Sequence, residues 1–230
     1  MHLLVFMQHL ITKMKKINTI RAGMTFLGIS GFFLMTPISF AATVIPIPFT
    51  SQAPAGNWTQ PWQDFCEEAS IVMSAHFLWN APLTSRLAET QMQLIKQYEE
   101  LVFKKYDDTS ASETASILKN LYGFKNIETR HIDSVSDITK ELSQGHIVLV
   151  PAAGRLLHNP YFIAPGPLYH MVLVRGFDDA NHTFIVNDPG TRRGNGYAYN
   201  QDVLFTAIHD WNGGDVMRGE KNVIVVRNSL

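Results

Sequence analysis

The sequence predicts an α+β domain, and three observations carry that expectation. Apolar residues recur at helical spacing behind recognisable caps in the first half; the period shortens to that of strands in the second; and a five-residue turn closes two of those strands into a hairpin. A length of 230 residues suits one domain, at most two small ones, and 46% apolar against 17% charged residues is enough for a packed core. The 19 Lys and Arg nearly balance the 20 Asp and Glu, so charge gives no reason to expect nucleic acid or an anionic membrane as partner. There is no internal repeat and no low-complexity tract.

The first 41 residues read as an address. Lys13, Lys15, Lys16 and Arg21 precede an apolar stretch, Met24 to Met35, that is too short to span a bilayer comfortably. Pro37 then breaks the stretch, and Ser39-Phe40-Ala41-Ala42 offers the small residues a signal peptidase needs, with cleavage expected after Ala41. Met14 before Lys15-Lys16 reads as the natural translation start, which leaves residues 1–13 upstream of it. Secretion or export to a periplasm, with no lasting membrane anchor, is therefore expected. The mature chain from Ala42 carries 15 basic against 20 acidic residues, a formal charge of −5.

From Ala42 to Trp62 the chain has four prolines and Gly56, so a short extended start and loops are expected. A first helix opens at Cys66, with Ala69, Met73 and Phe77 on the same stripe, and closes near Asn80-Ala81-Pro82. Thr84 or Ser85 caps a second helix to about Tyr106, with Leu87, Leu94, Ile95, Tyr98, Leu101 and Val102 on its apolar face. Ser110 and Glu113 form a capping box for a third, which stops at Gly123. A short strand near Ile127–His131 and a Ser134-capped helix to Gly145 lead into the buried strand Ile147–Val150, closed by Pro151. Leu168–Phe177 and Thr183–Asn187 form the hairpin, with 178–182 as its turn. Asn200 or Asp202 caps a last helix to about His209, and Asn222–Arg227 supplies the final strand.

Chemistry concentrates on few residues. Cys66 is the only cysteine, so it closes no intrachain disulfide and is either a packed thiol or a working one. A helix N-terminus favours a thiolate, whereas buried free cysteines are common in cores, and position alone leaves both readings open. Glu67 and Glu68 suit the helix start but oppose a thiolate, so a nearby imidazolium would be needed. No histidine pair has zinc-site spacing, and neither metal nor cofactor is expected. His170 stands out at the mouth of a strand. Alternation puts it on one face with Val172 and Val174, and puts Tyr169, Met171 and Leu173 on the other. If Phe177 pairs with Thr183, Val172 faces Asp188, and His170 and Asp188 become diagonal neighbours able to share a hydrogen bond. A one-residue shift in the turn would present Asn187 instead, and Asn187-Asp188-Pro189-Gly190 also reads as a plain turn. The loop 152–167 is long enough to border a cleft, and Trp211-Asn212-Gly213-Gly214 is a candidate for its opposite lining.

Four blocks together resemble the free-standing C-39-like cysteine peptidases, papain-like relatives of the domains that trim double-glycine leaders in bacteriocin exporters. They are Val44 to Pro54 with Gly56-Asn57-Trp58, then Cys66-Glu67-Glu68-Ala69-Ser70, then Tyr169 to Asp178, and last Val186-Asn187-Asp188-Pro189. The resemblance spans roughly residues 44–190 and implies a papain-like fold in a single domain from residue 42 to 230. It implies Cys66 as nucleophile, His170 as base and Asp188 as orienting acid. Gln52 would be the oxyanion donor, with Gln60 the alternative and Gln63 third. Trp58, Tyr169 and Asn187 would be substrate-binding, and a peptide or protein would be the substrate. The chain departs from the exporter domains in carrying Glu67 where they carry glycine. A catalytically silent domain that binds peptides or cell-wall fragments, and a thioester-forming acyl or peptidyl transferase, are the alternative functions.

Overall fold

The computed structural model describes Gln8 and residues 42–228. The secretion signal expected over residues 1–41 thus lies outside the described residues, apart from Gln8. The rest is α+β, as expected. Strands β1 (Thr43–Val44), β2 (Ile127–His131), β3 (Ile147–Ala153), β4 (Tyr169–Asp178), β5 (Thr183–Asn187), β6 (Tyr197–Asn200) and β7 (Asn222–Val226) form one antiparallel sheet. Its order is β2-β7-β3-β4-β5-β6, with β1 paired to β4. Helices α1 (Cys66–Leu78), α2 (Ser85–Val102) and α3 (Ala111–Asn120) come first in the chain, and α4 (Val135–Ser143) and α5 (Gln201–Ala207) follow between strands.

Alternation along the central strands divides the core in two. Ile147, Leu149, Met171, Leu173, Ile224 and Val226 point into the cluster beneath α1, α2 and α3. Their neighbours Val148, Val150, Val172, Val174, Val223 and Val225 point into a second cluster with Ile138 and Leu142 of α4 and Leu204 of α5. The strands are thus covered on both faces, which is why Ile147–Val150 reads as a continuous apolar run. The caps hold: Thr84 Oγ1 accepts the Leu87 N–H, Ser110 and Glu113 form their capping box, and Asn200 accepts from the Asp202 and Val203 N–H groups.

Helix α1 departs from the single stripe expected of it. Every residue from Cys66 to His76 is buried, because α1 lies between β4 on one side and α2 and α3 on the other. Ile71, Val72 and Met73 contribute roughly 1.5–3 kcal/mol each by leaving water. The same position shuts Glu67 and Glu68 away from solvent. Helices α2 and α3 also end earlier than expected, at Val102 and Asn120. Strand β3 runs on through Pro151 to Ala153, and β6 was not anticipated at all.

The β4–β5 hairpin corrects the expected register in two steps. Asp178 pairs with Thr183, so the turn has four residues, not five, and the pairing near the tip is one residue out from the expected one. A β-bulge at Arg175 then inserts one residue into β4, and from Val174↔Val186 and Leu173↔Asn187 onward the expected register is restored. Beyond Val174, where β3 no longer pairs, β1 takes up the edge of β4. A Cβ on Gly176 would stand 2.2 Å from the Thr43 carbonyl oxygen, so only glycine lets β1 dock there.

Candidate active site

Strand β5 leaves β4 after Asn187, so residues 169–172 of β4 pair with β3 alone and keep their other edge free. A cleft of about 700 Å³ lies at this end of the sheet, lined among others by Gln52, Cys66, Tyr169, His170, Gly190 and Arg193. Cys66 and His170 come from different elements into one crevice by this route. Cys66 is the first residue of α1, and Met171, next to His170, directs its backbone N–H toward the Cys66 sulfur.

His170 is held on all sides. Its Nε2 meets Asp188 Oδ1 at 2.7 Å, and Phe162 packs edge-on against the ring with 5.2 Å between centroids. A Cβ on Gly190 would lie 2.8 Å from His170 Cε1, so the glycine backbone forms the floor beneath the imidazole. Nδ1, the other ring nitrogen, takes no hydrogen bond among the described residues.

Asp188 is fully buried with both oxygens occupied. Oδ1 accepts from His170 Nε2 and from the Gly190 N–H at 2.9 Å; Oδ2 accepts from Asn159 Nδ2 at 2.9 Å and from the Tyr199 hydroxyl at 2.6 Å. Burial alone would raise its pKa, but the His170 charge and hydrogen bond, with the Tyr199 and Gly190 donors, outweigh it and hold the carboxyl below its usual range. The same acid pushes the Tyr199 hydroxyl upward, after burial. Asn159 and Tyr199 were not singled out in the sequence. The alternating Tyr197-Ala198-Tyr199 before the Asn200 cap carried a strand signal that would have found Tyr199; Asn159 sits in an irregular loop with none.

The thiol stands in a different setting. Cys66 Sγ donates to Glu67 Oε2 at 2.9 Å, and among the described residues no hydrogen bond joins Cys66 to His170. Burial pushes the thiol well up, the Glu67 charge and hydrogen bond add to that, and the Met171 N–H works the other way. Among the described residues helix α1 has no side-chain cap and the Cys66 backbone N–H donates to no carbonyl, so it is available to a ligand.

The other expected site residues divide. Gln52 lines the cleft, but both of its amide hydrogens go to backbone carbonyls, those of Trp62 at 3.1 Å and Gln63 at 2.6 Å, and its Oε1 is buried without a partner. Gln63 also lines the cleft, whereas Gln60 is exposed, outside it, and bonded to Asp64. Trp58 and Tyr169 are in the wall, with the Tyr169 hydroxyl donating to the Thr109 carbonyl. Asn187 is not. It is buried, donates to Met73 Sδ at 3.7 Å and accepts from the Gly196 N–H, so the strand turns it into the core. From the 152–167 loop, Tyr161, Phe162, Ile163, Gly166 and Pro167 do border the cleft; Trp211 stacks against Tyr169 outside it. Among the described residues no cluster of His, Cys, Asp and Glu has the arrangement of a metal site.

The model of the Peptidase_C39 like family matches residues 44–213. Among solved structures the chain is similar to that of a candidate C39-like peptidase from Bacillus anthracis, with a TM-score of 0.55 and 12% identity, over 82% of this chain and 98% of that one. At that identity the likeness concerns the fold. No curated protein matches the sequence.

Proposed function

The chain belongs to the Peptidase_C39 like family, and from that membership we propose a secreted or periplasmic cysteine peptidase or amide hydrolase working through Cys66, His170 and Asp188. The observation that carries the proposal is that His170, which lines the same cleft as Cys66, is bonded from behind to the buried Asp188. A carboxylate on Nε2 fixes the tautomer and leaves Nδ1 as the nitrogen able to take the thiol proton. The sulfur attacks a substrate carbonyl, a C–S bond forms, and His170 returns the proton to the departing amine. Water then attacks the thioester with His170 as base, releasing the acid and restoring the thiol. The Cys66 N–H supports the developing oxyanion, joined by Gln52 if its amide exchanges one carbonyl for it.

A cleft of this volume accommodates a short stretch of extended peptide. Trp58 and Tyr169 form its walls, and Ile163 and Leu168 give it an exposed apolar lip, a lining suited to a peptide or protein and not to nucleic acid. Export through residues 1–41 would yield a chain beginning at Ala42, which an intact mass of the protein from a secreting host checks directly. The thiol's bond to Glu67 favours the second reading, a silent domain that binds peptides in the same cleft. Incubation with a protein digest, read by mass spectrometry, separates the two. New peptide termini from the wild type and none from Cys66→Ala support hydrolysis, and equal products from both overturn it.

A further inference from the structure

The Cys66 thiol has a second neighbour that the triad does not use. Glu67 is buried, and both of its oxygens are committed: Oε2 accepts the Cys66 S–H at 2.9 Å, and Oε1 accepts the Thr109 N–H at 3.0 Å. Thr109 is itself fastened, because its carbonyl accepts from the Tyr169 hydroxyl at 2.9 Å and its own hydroxyl meets that of Thr114 at 2.8 Å. A continuous run of hydrogen bonds therefore connects the sulfur, through Glu67 and Thr109, to Tyr169, the residue before His170. A side chain held this way is a built feature, not a passing contact.

Resting on the reading of Cys66 as nucleophile, we propose that Glu67 is the resting partner of the thiol proton. The free protein stores Cys66 as a neutral thiol on the Glu67 carboxylate, and the nucleophile is made only when that proton moves to His170. In the step itself the S–H bond breaks, its electron pair stays on sulfur, and an N–H bond forms at Nδ1, giving a thiolate and an imidazolium. Glu67 keeps its charge throughout and repels the thiolate, so the stored state is favoured until a substrate occupies the cleft.

The surroundings of Glu67 agree with a carboxylate that acts on sulfur. From β4 it is faced by the His170 and Tyr169 side chains, from the loop before α3 by Asp108, from its own helix by Glu68, and from α2 by Glu99. Burial raises its pKa above the usual glutamate range, and the bonds from Cys66 and Thr109, with the His170 charge, hold the rise back without cancelling it. Lys105 bears on Asp108 and Glu99 and pairs with Glu113. His170 is thus the group placed to draw the proton off.

The test needs no substrate. The rate of Cys66 alkylation by iodoacetamide is followed from acid to alkaline pH in the wild type and in Glu67→Gln, with circular dichroism to confirm folding. Glutamine keeps an oxygen for the Thr109 N–H and turns an N–H toward sulfur, replacing an acceptor by a donor. The expected result is a wild-type inflection above the ordinary thiol value of about 8.5, and in Glu67→Gln an inflection at least about one pH unit lower, with roughly tenfold faster alkylation at pH 7. Should Glu67→Gln fail to fold, Glu67→Asp, whose carboxylate falls short of the sulfur, is expected to lower the inflection by a smaller step. An unchanged inflection in a folded variant overturns the role of Glu67 while leaving the nucleophile intact, and a wild-type inflection below the ordinary thiol range does the same even without a variant. A folded protein whose thiol stays inert in every form overturns the reading of Cys66 as nucleophile instead.

Discussion

Asp188, after β5, and the Glu68–Glu99 pair, between α1 and α2, are both shut off from water, yet they stand in opposite electrostatic states. Asp188 receives four donors on its two oxygens and stays ionised. Among the described residues no donor of a third residue reaches the oxygens of Glu68 or Glu99, and only the Glu68 backbone N–H bears on its own carboxyl. Burial pushes both carboxyls well up; the charges of Glu99 and Glu67 add to this at Glu68, and that of Glu67 adds to it at Glu99, where the bond from Glu68 works the other way. Two ionised carboxylates have nothing to donate to one another, so their contact becomes a hydrogen bond only when one carries a proton. Depth of burial does not decide the charge of an acid; the donors aimed at it do.

The largest loss is expected at Asp188. Asp188→Asn keeps the shape but gives His170 an amide in place of a charge, and turnover is expected to fall on the order of 10³ to 10⁴-fold with the fold retained; a loss under tenfold would mean that the acid does not orient the base. A sharper, smaller cut is Tyr199→Phe, which removes one of the two donors on Oδ2. Thermal or denaturant unfolding is expected to show a loss of about 1.5–3 kcal/mol, the usual contribution of a hydrogen bond to a charged group. The third variant concerns the pair. Asp188, held below its unfolded value, contributes stability that is present above the ordinary aspartate value of 3.8 and is lost as pH falls through the lower folded value. Glu68 and Glu99 do the reverse. Above the ordinary glutamate value of 4.5 the unfolded chain gives up their protons while the folded chain retains them, so stability declines as pH rises. Glu99→Gln is therefore expected to match the wild type near pH 4 and to exceed it by about 1 kcal/mol or more at pH 8. Parallel unfolding curves at the two pH values would show the pair to be electrostatically idle.

The sequence made much of this arrangement visible, because caps and alternation are local signals. Thr84, Ser110, Ser134 and Asn200 each announced a helix start, and the alternation around His170 assigned β4 its faces. The full burial of α1 was hidden, since it depends on α2, α3 and β4 closing around a helix whose own pattern shows one stripe. For the same reason nothing local distinguished Glu67, which meets the thiol, from Glu68, which meets Glu99. The hairpin is instructive in another way. The expected register up to Asn187, the residue before Asp188, was recovered through two offsets, a turn one residue shorter than expected and a bulge at Arg175, and neither is written in the turn residues. Asn159 reaches Asp188 from an irregular loop, where no period exists to be read.

That bulge separates the far end of the hairpin from the chemistry. Residues 179–182 are exposed, lie beyond Arg175 and make no direct contact with Asp188 among the hydrogen bonds of the described residues. An epitope tag or fluorophore attachment sequence spliced into this tip should leave the acid facing its imidazole. Excision of the single residue Arg175 would join Val174↔Val186 and Gly176↔Ile185 into one unbroken ladder without turning the acid, so the tip can be labelled with or without the bulge.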